Sequence, residues 1–156
     1  DNKMYEMFYS LVQPPVMDFS YYNTQIHGIT ATDVKNMPTF PSIWAELKGY
    51  LNNNIVLAHN ASFDMSVLKS ILNTYNLEKP NFKYYCTVSL AKKVWPELEN
   101  HKLNTLASYF NINFNRHNAL HDSKVCAMVA VLATRKLNSK NFAQLITKLN
   151  LKDNKF

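Results

Sequence analysis

The stretch from Asn54 to Tyr75 constrains the fold most. Asn54-Ile55-Val56-Leu57-Ala58 reads as a short buried strand, β-branched and apolar, entered from the turn residues Asn52 and Asn53. Beyond it, Phe63, Val67, Leu68, Ile71, Leu72 and Tyr75 recur at helical spacing. A strand that breaks at His59-Asn60 and resumes as a helix leaves the polar residues between them at the carboxyl edge of a sheet. Open α/β sheets place their ligands at that edge. Asp64 falls in the first turn of the new helix, where free backbone N–H groups and the dipole favour an anion. It reads either as a simple helix-start charge or as part of a site.

The rest of the chain alternates strands and helices. Met4 to Val12 is expected as a strand with apolar residues on both faces, preceded by the turn-like Asp1-Asn2-Lys3. Gln13 to Gly28 reads as irregular. Thr30-Ala31-Thr32-Asp33 is a capping box for a short helix ending before Pro38, and Pro41 opens a second helix carrying Ile43, Trp44, Leu47, Tyr50 and Leu51. Phe82 to Cys86 is a further strand, and Thr87 is the candidate N-cap of a helix that Pro96 closes. Leu103, Leu106, Ala107 and Phe110 mark another helix. A long helix runs from about Ala119 to Lys136, and a last one is capped by Ser139. The pattern predicts an α/β domain over residues 1–150, a mixed sheet with helices on both faces, and a frayed tail over 151–156.

Composition excludes several classes. The 156 residues are 47% apolar and 18% charged, as in a folded domain rather than a disordered one. The two glycines, Gly28 and Gly49, leave no room for a glycine-rich phosphate loop. Cys86 and Cys126 suggest neither a disulfide framework nor a cysteine zinc site. The longest apolar run, Val125 to Ala133, is too short to cross a bilayer, and with no secretory leader the expected setting is the cytoplasm. Seventeen Lys and Arg against eleven Asp and Glu give a net charge of +6, which suits a polyanion such as nucleic acid.

A second acidic helix start follows in His117-Asn118-Ala119-Leu120-His121-Asp122. Asp122 opens the long helix and His117 lies in the loop before it. Two carboxylates that hold a hard cation, with a neutral His to take a proton from water, suit metal-assisted hydrolysis of a phosphodiester. His121 competes with His117 as the base, and His117 is also accounted for as a solvated loop histidine. His59 and Asn60 orient substrate or satisfy the strand-to-helix turn. His27 sits in a loop of the kind that covers a cleft, and His101 stands at the entrance of a helix. Phe63 is core or a face on which a base stacks. Trp44 and Trp95 fit a core.

His59-Asn60-Ala61-Ser62-Phe63-Asp64 followed by His117-x-Ala119-x-x-Asp122 resembles the second and third motifs of DnaQ-like exonucleases of the DEDDh branch. Ile26-His27-Gly28-Ile29-Thr30 and His101-Lys102-Leu103-Asn104-Thr105-Leu106-Ala107 look like intervening signatures of the same family. The similarity covers nearly the whole chain in order and is strongest to proofreading epsilon subunits of bacterial DNA polymerase III. It implies a ribonuclease-H-like fold and a two-metal (Mg²⁺ or Mn²⁺) 3′→5′ exonuclease releasing nucleoside monophosphates from DNA, with proofreading as one setting. It implies Asp64 and Asp122 as metal carboxylates and His117 as general base. Phe63 and His27 are then contacts of the terminal nucleotide, and His59 and Asn60 shape its pocket. The implied partners are a single-stranded DNA 3′ end and a polymerase subunit, with no membrane.

The sequence departs from the family at its start. An Asp-x-Glu strand is expected there, and the early acidic residues Asp1, Glu6 and Asp18 do not have that spacing. Two divalent ions then face two carboxylates instead of four. The sheet is also expected to lack its middle strand, each unpaired ladder group costing about 1–3 kcal/mol. The chain therefore reads as an N-terminally incomplete piece, as one whose strand comes from another segment or copy, or as a homologue with a rearranged edge. A non-cutting module that holds nucleic acid or a polymerase is the alternative function, and RNA 3′-end trimming is a weaker one.

Overall fold

A computed structural model describes residues 8–113 and 118–156. Residues 4–7 of the expected first strand, Met4 to Val12, lie outside that range. The part that is described forms no strand, and its neighbour Gln13 makes an isolated parallel bridge to Thr39, its N–H donating to the Pro38 carbonyl at 3.0 Å. The next segment corrects the expectation of irregular chain: Tyr21–His27 is a helix, α1. It buries no residue, so no apolar periodicity marks it, and Gly28 ends it in a left-handed conformation at φ 71°. Helix α2, Ala31–Val34, follows the expected box, the Thr30 N–H and hydroxyl both donating to the Asp33 carboxylate. Helix α3, Phe40–Leu51, has Pro41 in its first turn and buries Phe40 and Trp44.

Strand β1, Ile55–Ala58, leads into α4, Ala61–Thr74, and then β2, Lys83–Cys86. The two strands are parallel, with Ile55 opposite Lys83 and Ala58 opposite Cys86. Helices α5 (Thr87–Val94), α6 (Leu103–Tyr109), α7 (Ala119–Lys136) and α8 (Phe142–Leu149) follow. Two hydrophobic clusters result. Leu57 and Tyr85, which are register partners and so share a face, join α5 to α8 in the larger one around Leu90, Leu106, Val129 and Leu145. Phe40, Trp44 and Leu72 form the other, between α3 and α4. Trp95 is buried as expected.

Helix ends explain how a chain with two glycines turns so often. Asn76, Asn111, Asn138 and Asn150 all have positive φ just past a helix, and the next residue's N–H bonds back five positions. The pairs are Leu77 to Leu72, Ile112 to Ala107, Ser139 to Thr134 and Leu151 to Ile146, at 2.8–3.0 Å. This is the Schellman arrangement with asparagine where glycine is commoner. It also corrects two expected caps. Ser139 closes α7 instead of opening α8, whose N-cap is Asn141, accepting from the Gln144 N–H at 2.9 Å. Thr87 is the first residue of α5 and Cys86 is its cap, because the Thr87 side chain is wholly buried and bonded elsewhere.

The tail is ordered, against the expectation of fraying. Strand β3, Asn154–Lys155, pairs antiparallel with β2 and completes a mixed sheet in the order β1-β2-β3. Phe156 stacks on Phe82 with ring centroids 4.8 Å apart, and the Lys69 ammonium lies 5.4 Å from its centroid. Asp153 accepts from Lys83 and from the Tyr85 hydroxyl. Those two hydrogen bonds hold its carboxyl below the usual range, while burial and the Asp153 carboxylate push Tyr85 up to about 12. Replacing Phe156 by Ala should lower unfolding free energy by about 1–2 kcal/mol in urea titration, where a frayed tail would show no change. The Asp153 contribution should be present above pH 3.8 and disappear as pH falls through its depressed folded value. The thermal midpoints of wild type and Asp153→Asn should accordingly differ at neutral pH and converge in acid.

Candidate active site

Parallel pairing ends β1 and β2 at one edge, with Ala58 beside Cys86, so the chain leaving each strand enters a helix there. At the first exit Asn60 adopts φ 68° and ψ 47°, a left-handed conformation that asparagine tolerates better than most residues. This reverses the backbone within two residues, and Ala61 is buried as α4 begins. Asp64 follows in the first turn, and Phe63 beside it is 65% exposed, which settles its placement as surface rather than core. Asp64 is open to solvent, yet the protein around its carboxyl desolvates it enough to raise its pKa, against a hydrogen bond from its own N–H. A carboxylate so placed is favoured by a nearby cation.

The second acidic start is built differently. The Asn118 side chain accepts from the His121 N–H at 3.1 Å, and its carbonyl accepts from the Asp122 N–H at 2.9 Å, which fixes where α7 begins. Asp122 is half-buried in that first turn. Cys126, four residues on, lies on the same helix face one turn further in. Burial pushes the Cys126 thiol up to about 11, opposed by a hydrogen bond from Thr87 and reinforced by the Asp64 charge. Thr87, the residue that follows β2, lies 3.5 Å from Cys126, which brings this face of α7 to the end of β2 where α5 starts. His117 lies outside the described residues, and His121 is half-buried next to Asp122.

Beneath the carboxylates, one threonine joins three elements. The fully buried Thr87 Oγ1 lies 3.0 Å from His59 Nδ1, 3.4 Å from the Ala58 carbonyl and 3.5 Å from Cys126 Sγ. Burial lowers the His59 pKa, partly offset by its hydrogen bond to the His101 backbone. Its Nδ1 lies in hydrogen-bonding distance of the Thr87 hydroxyl and the ring donates to the His101 carbonyl, while His101 Nε2 donates to the Trp95 carbonyl at 2.9 Å. Both His59 nitrogens are therefore used by the protein, and the ring braces the wall of a cavity of about 590 Å³ that Asn60 also borders. His27 ends α1, and its Nδ1 accepts from the Ile29 N–H at 3.0 Å. Thr87, Cys86 and Cys126 escape sequence reading because only the fold brings them under the site.

Carboxylate oxygens from two helix starts are the donors that hard divalent cations take, and in kind they fit such an ion. Among the described residues no group of three or more His, Cys, Asp or Glu is placed to hold one. No helix among them is long and apolar enough to cross a membrane.

Comparison with known proteins places this geometry. A DNA polymerase III PolC-type protein of Clostridium perfringens (strain 13 / Type A) is 28% identical over 153 residues, covering 97% of this chain and 10% of the relative. A DNA polymerase III subunit epsilon of Buchnera aphidicola subsp. Baizongia pistaciae is 31% identical over 134 residues, covering 81% of this chain and 54% of that protein. The chain thus spans about a tenth of the first relative's length and about half of the second's. The solved structure of Exonuclease X in complex with 5′ overhanging duplex DNA matches with a TM-score of 0.71 at 22% identity, covering 96% of this chain and 84% of that one. That likeness supports the expected ribonuclease-H-like α/β fold. The profile of the exonuclease family, RNase_T, matches residues 2–130 and so runs through both acidic helix starts: the chain belongs to the DnaQ-like exonucleases.

Proposed function

We propose that this domain removes nucleoside monophosphates from the 3′ end of DNA in a reaction that depends on Mg²⁺ or Mn²⁺. The observation that carries the reading is that α4 starts where β1 ends, with Asp64 in its first turn, while Thr87 at the end of β2 lies 3.5 Å from Cys126, one turn beyond Asp122 on α7. In this reading Asp64 and Asp122 hold the cation, which supplies charge neutralisation at the phosphate and a more acidic attacking water. His117 takes the water's proton at an imidazole nitrogen. Phe63, exposed beside Asp64, offers a face to the terminal base, and His27 contacts the same nucleotide. Asn60 borders the pocket, and His59 holds its wall in place through Thr87 and His101.

The names of the PolC-type and epsilon relatives support DNA as the substrate and a polymerase as the partner. A second reading is favoured by one observation: no third acidic or histidine ligand is grouped with Asp64 and Asp122 among the described residues. It makes the domain a holder of nucleic acid or polymerase that does not cut.

The test is release of mononucleotides from DNA and RNA oligonucleotides labelled at either end, with Mn²⁺ or Mg²⁺ supplied or chelated. Release should start at the 3′ end, require metal, and fall about a hundredfold or more in Asp122→Ala and Asp64→Asn. His117→Ala should lower the rate by about 10²–10⁴. Binding without shortening under every metal condition supports the second reading and overturns the first.

A further inference from the structure

Two threonines are buried among the described residues, and their hydroxyls are connected differently. The Thr134 hydroxyl donates to the Ala130 carbonyl at 2.7 Å, one turn back in its own helix, a local bond open to any helical threonine. The Thr87 hydroxyl reaches outside its own helix. It meets the Ala58 carbonyl, His59 Nδ1 and Cys126 Sγ, which lie 29, 28 and 39 positions away in the chain. A hydroxyl carries one proton and two lone pairs, so three partners can share it.

Packing alone does not call for that oxygen. Valine has the same branched shape, and in a site with no exposure it would bury a methyl group where threonine buries a polar atom. What the hydroxyl adds is a link between elements. Ala58 and His59 are where β1 leaves the sheet, and after the left-handed turn at Asn60 the chain reaches Asp64 in the first turn of α4. Cys126 lies on α7 one turn beyond Asp122. Each partner of Thr87 thus belongs to a stretch that carries one of the two carboxylates. His59 is also held by the His101 backbone, and His101 by the Trp95 carbonyl at 2.9 Å, so the ring is anchored away from α7 as well. Spacing matters for a hard cation, since Mg²⁺ takes oxygen ligands at about 2.0–2.1 Å in a near-octahedral array and tolerates little displacement.

We propose that Thr87 is a positioning residue for the cation site: its hydroxyl fixes the β1 exit against α7, and with it the spacing of Asp64 and Asp122. The inference rests on the metal-dependent reading proposed above and adds to it the device that sets the carboxylates in place. Thr87 is fully buried and acts through the two stretches it joins, not on the substrate.

The test is titration of the full chain with Mn²⁺ alone, free ion being counted by its solution EPR signal, with no nucleic acid present. Thr87→Val should weaken Mn²⁺ binding about tenfold, and Thr87→Ser, which keeps the hydroxyl, should stay within about twofold of wild type. Thr134→Val is the matched control: it removes an equally buried hydroxyl whose bond stays within one helix, so it should leave Mn²⁺ binding in place whatever it does to the thermal midpoint. In steady-state assays Thr87→Val should lower kcat about tenfold with KM for the oligonucleotide within about twofold. A merely structural threonine would move the thermal midpoint and neither of these. If Thr87→Val folds and matches wild type in Mn²⁺ affinity and kcat, or if Thr87→Ser is as weak as Thr87→Val, the positioning role is refuted while the exonuclease reading stands. Should Thr87→Val fail to fold, Cys126→Ala removes the α7 contact alone: a loss of about threefold in Mn²⁺ affinity supports the role, and no loss refutes it. If wild type neither binds Mn²⁺ nor releases nucleotides, both are refuted.

Discussion

Four residue pairs in parallel register, Ile55–Ala58 against Lys83–Cys86, determine where everything else in this molecule is found. A parallel pair needs a crossover, and α4 is that crossover. It also makes both strands finish together, so the N-termini of α4 and α5 emerge side by side. Cys86 records the consequence. Burial pushes its thiol up, but the N–H groups of Ser89, Ala61, Val88 and Asn60 outweigh that and lower its pKa. The acidic starts exploit the same crowding of unpaired donors, which makes this end of the sheet the place where negative groups are least costly.

Thr87 holds that arrangement in depth. Its hydroxyl lies within hydrogen-bonding distance of the β1 exit, of His59 and of α7, so three separately folded pieces share one buried polar atom. A shift of α7 along its axis would move Asp122 relative to Asp64 and would break the Thr87–Cys126 contact. Polar networks of this kind fix geometry because a half-satisfied member in a buried place is costly. The reacting groups can then sit at the surface, where substrate reaches them, while their spacing is set underneath.

Much of this was legible in the sequence, for identifiable reasons. Strand β1 and helices α3, α4 and α7 carry strong apolar periodicity, and Asp64 and Asp122 announce themselves as acids at helix starts. Signals failed where structure is made by contacts distant in sequence or by none. Helix α1 buries nothing and so has no periodic face. Strand β3 is two polar residues whose order comes from Phe82, Lys83 and Tyr85, about seventy positions earlier. Thr87 looks like a cap by composition, but burial redirects its hydroxyl.

The asparagines that terminate helices have an effect outside the native state. A glycine at each of those positions would adopt the left-handed turn without strain, but it would also leave the denatured chain free to sample many more backbone conformations. Asparagine restricts that ensemble, so folding surrenders less disorder at Asn76, Asn111, Asn138 and Asn150. Part of this domain's resistance to unfolding is therefore set by what the random chain is denied, and inspection of native contacts alone would not reveal it.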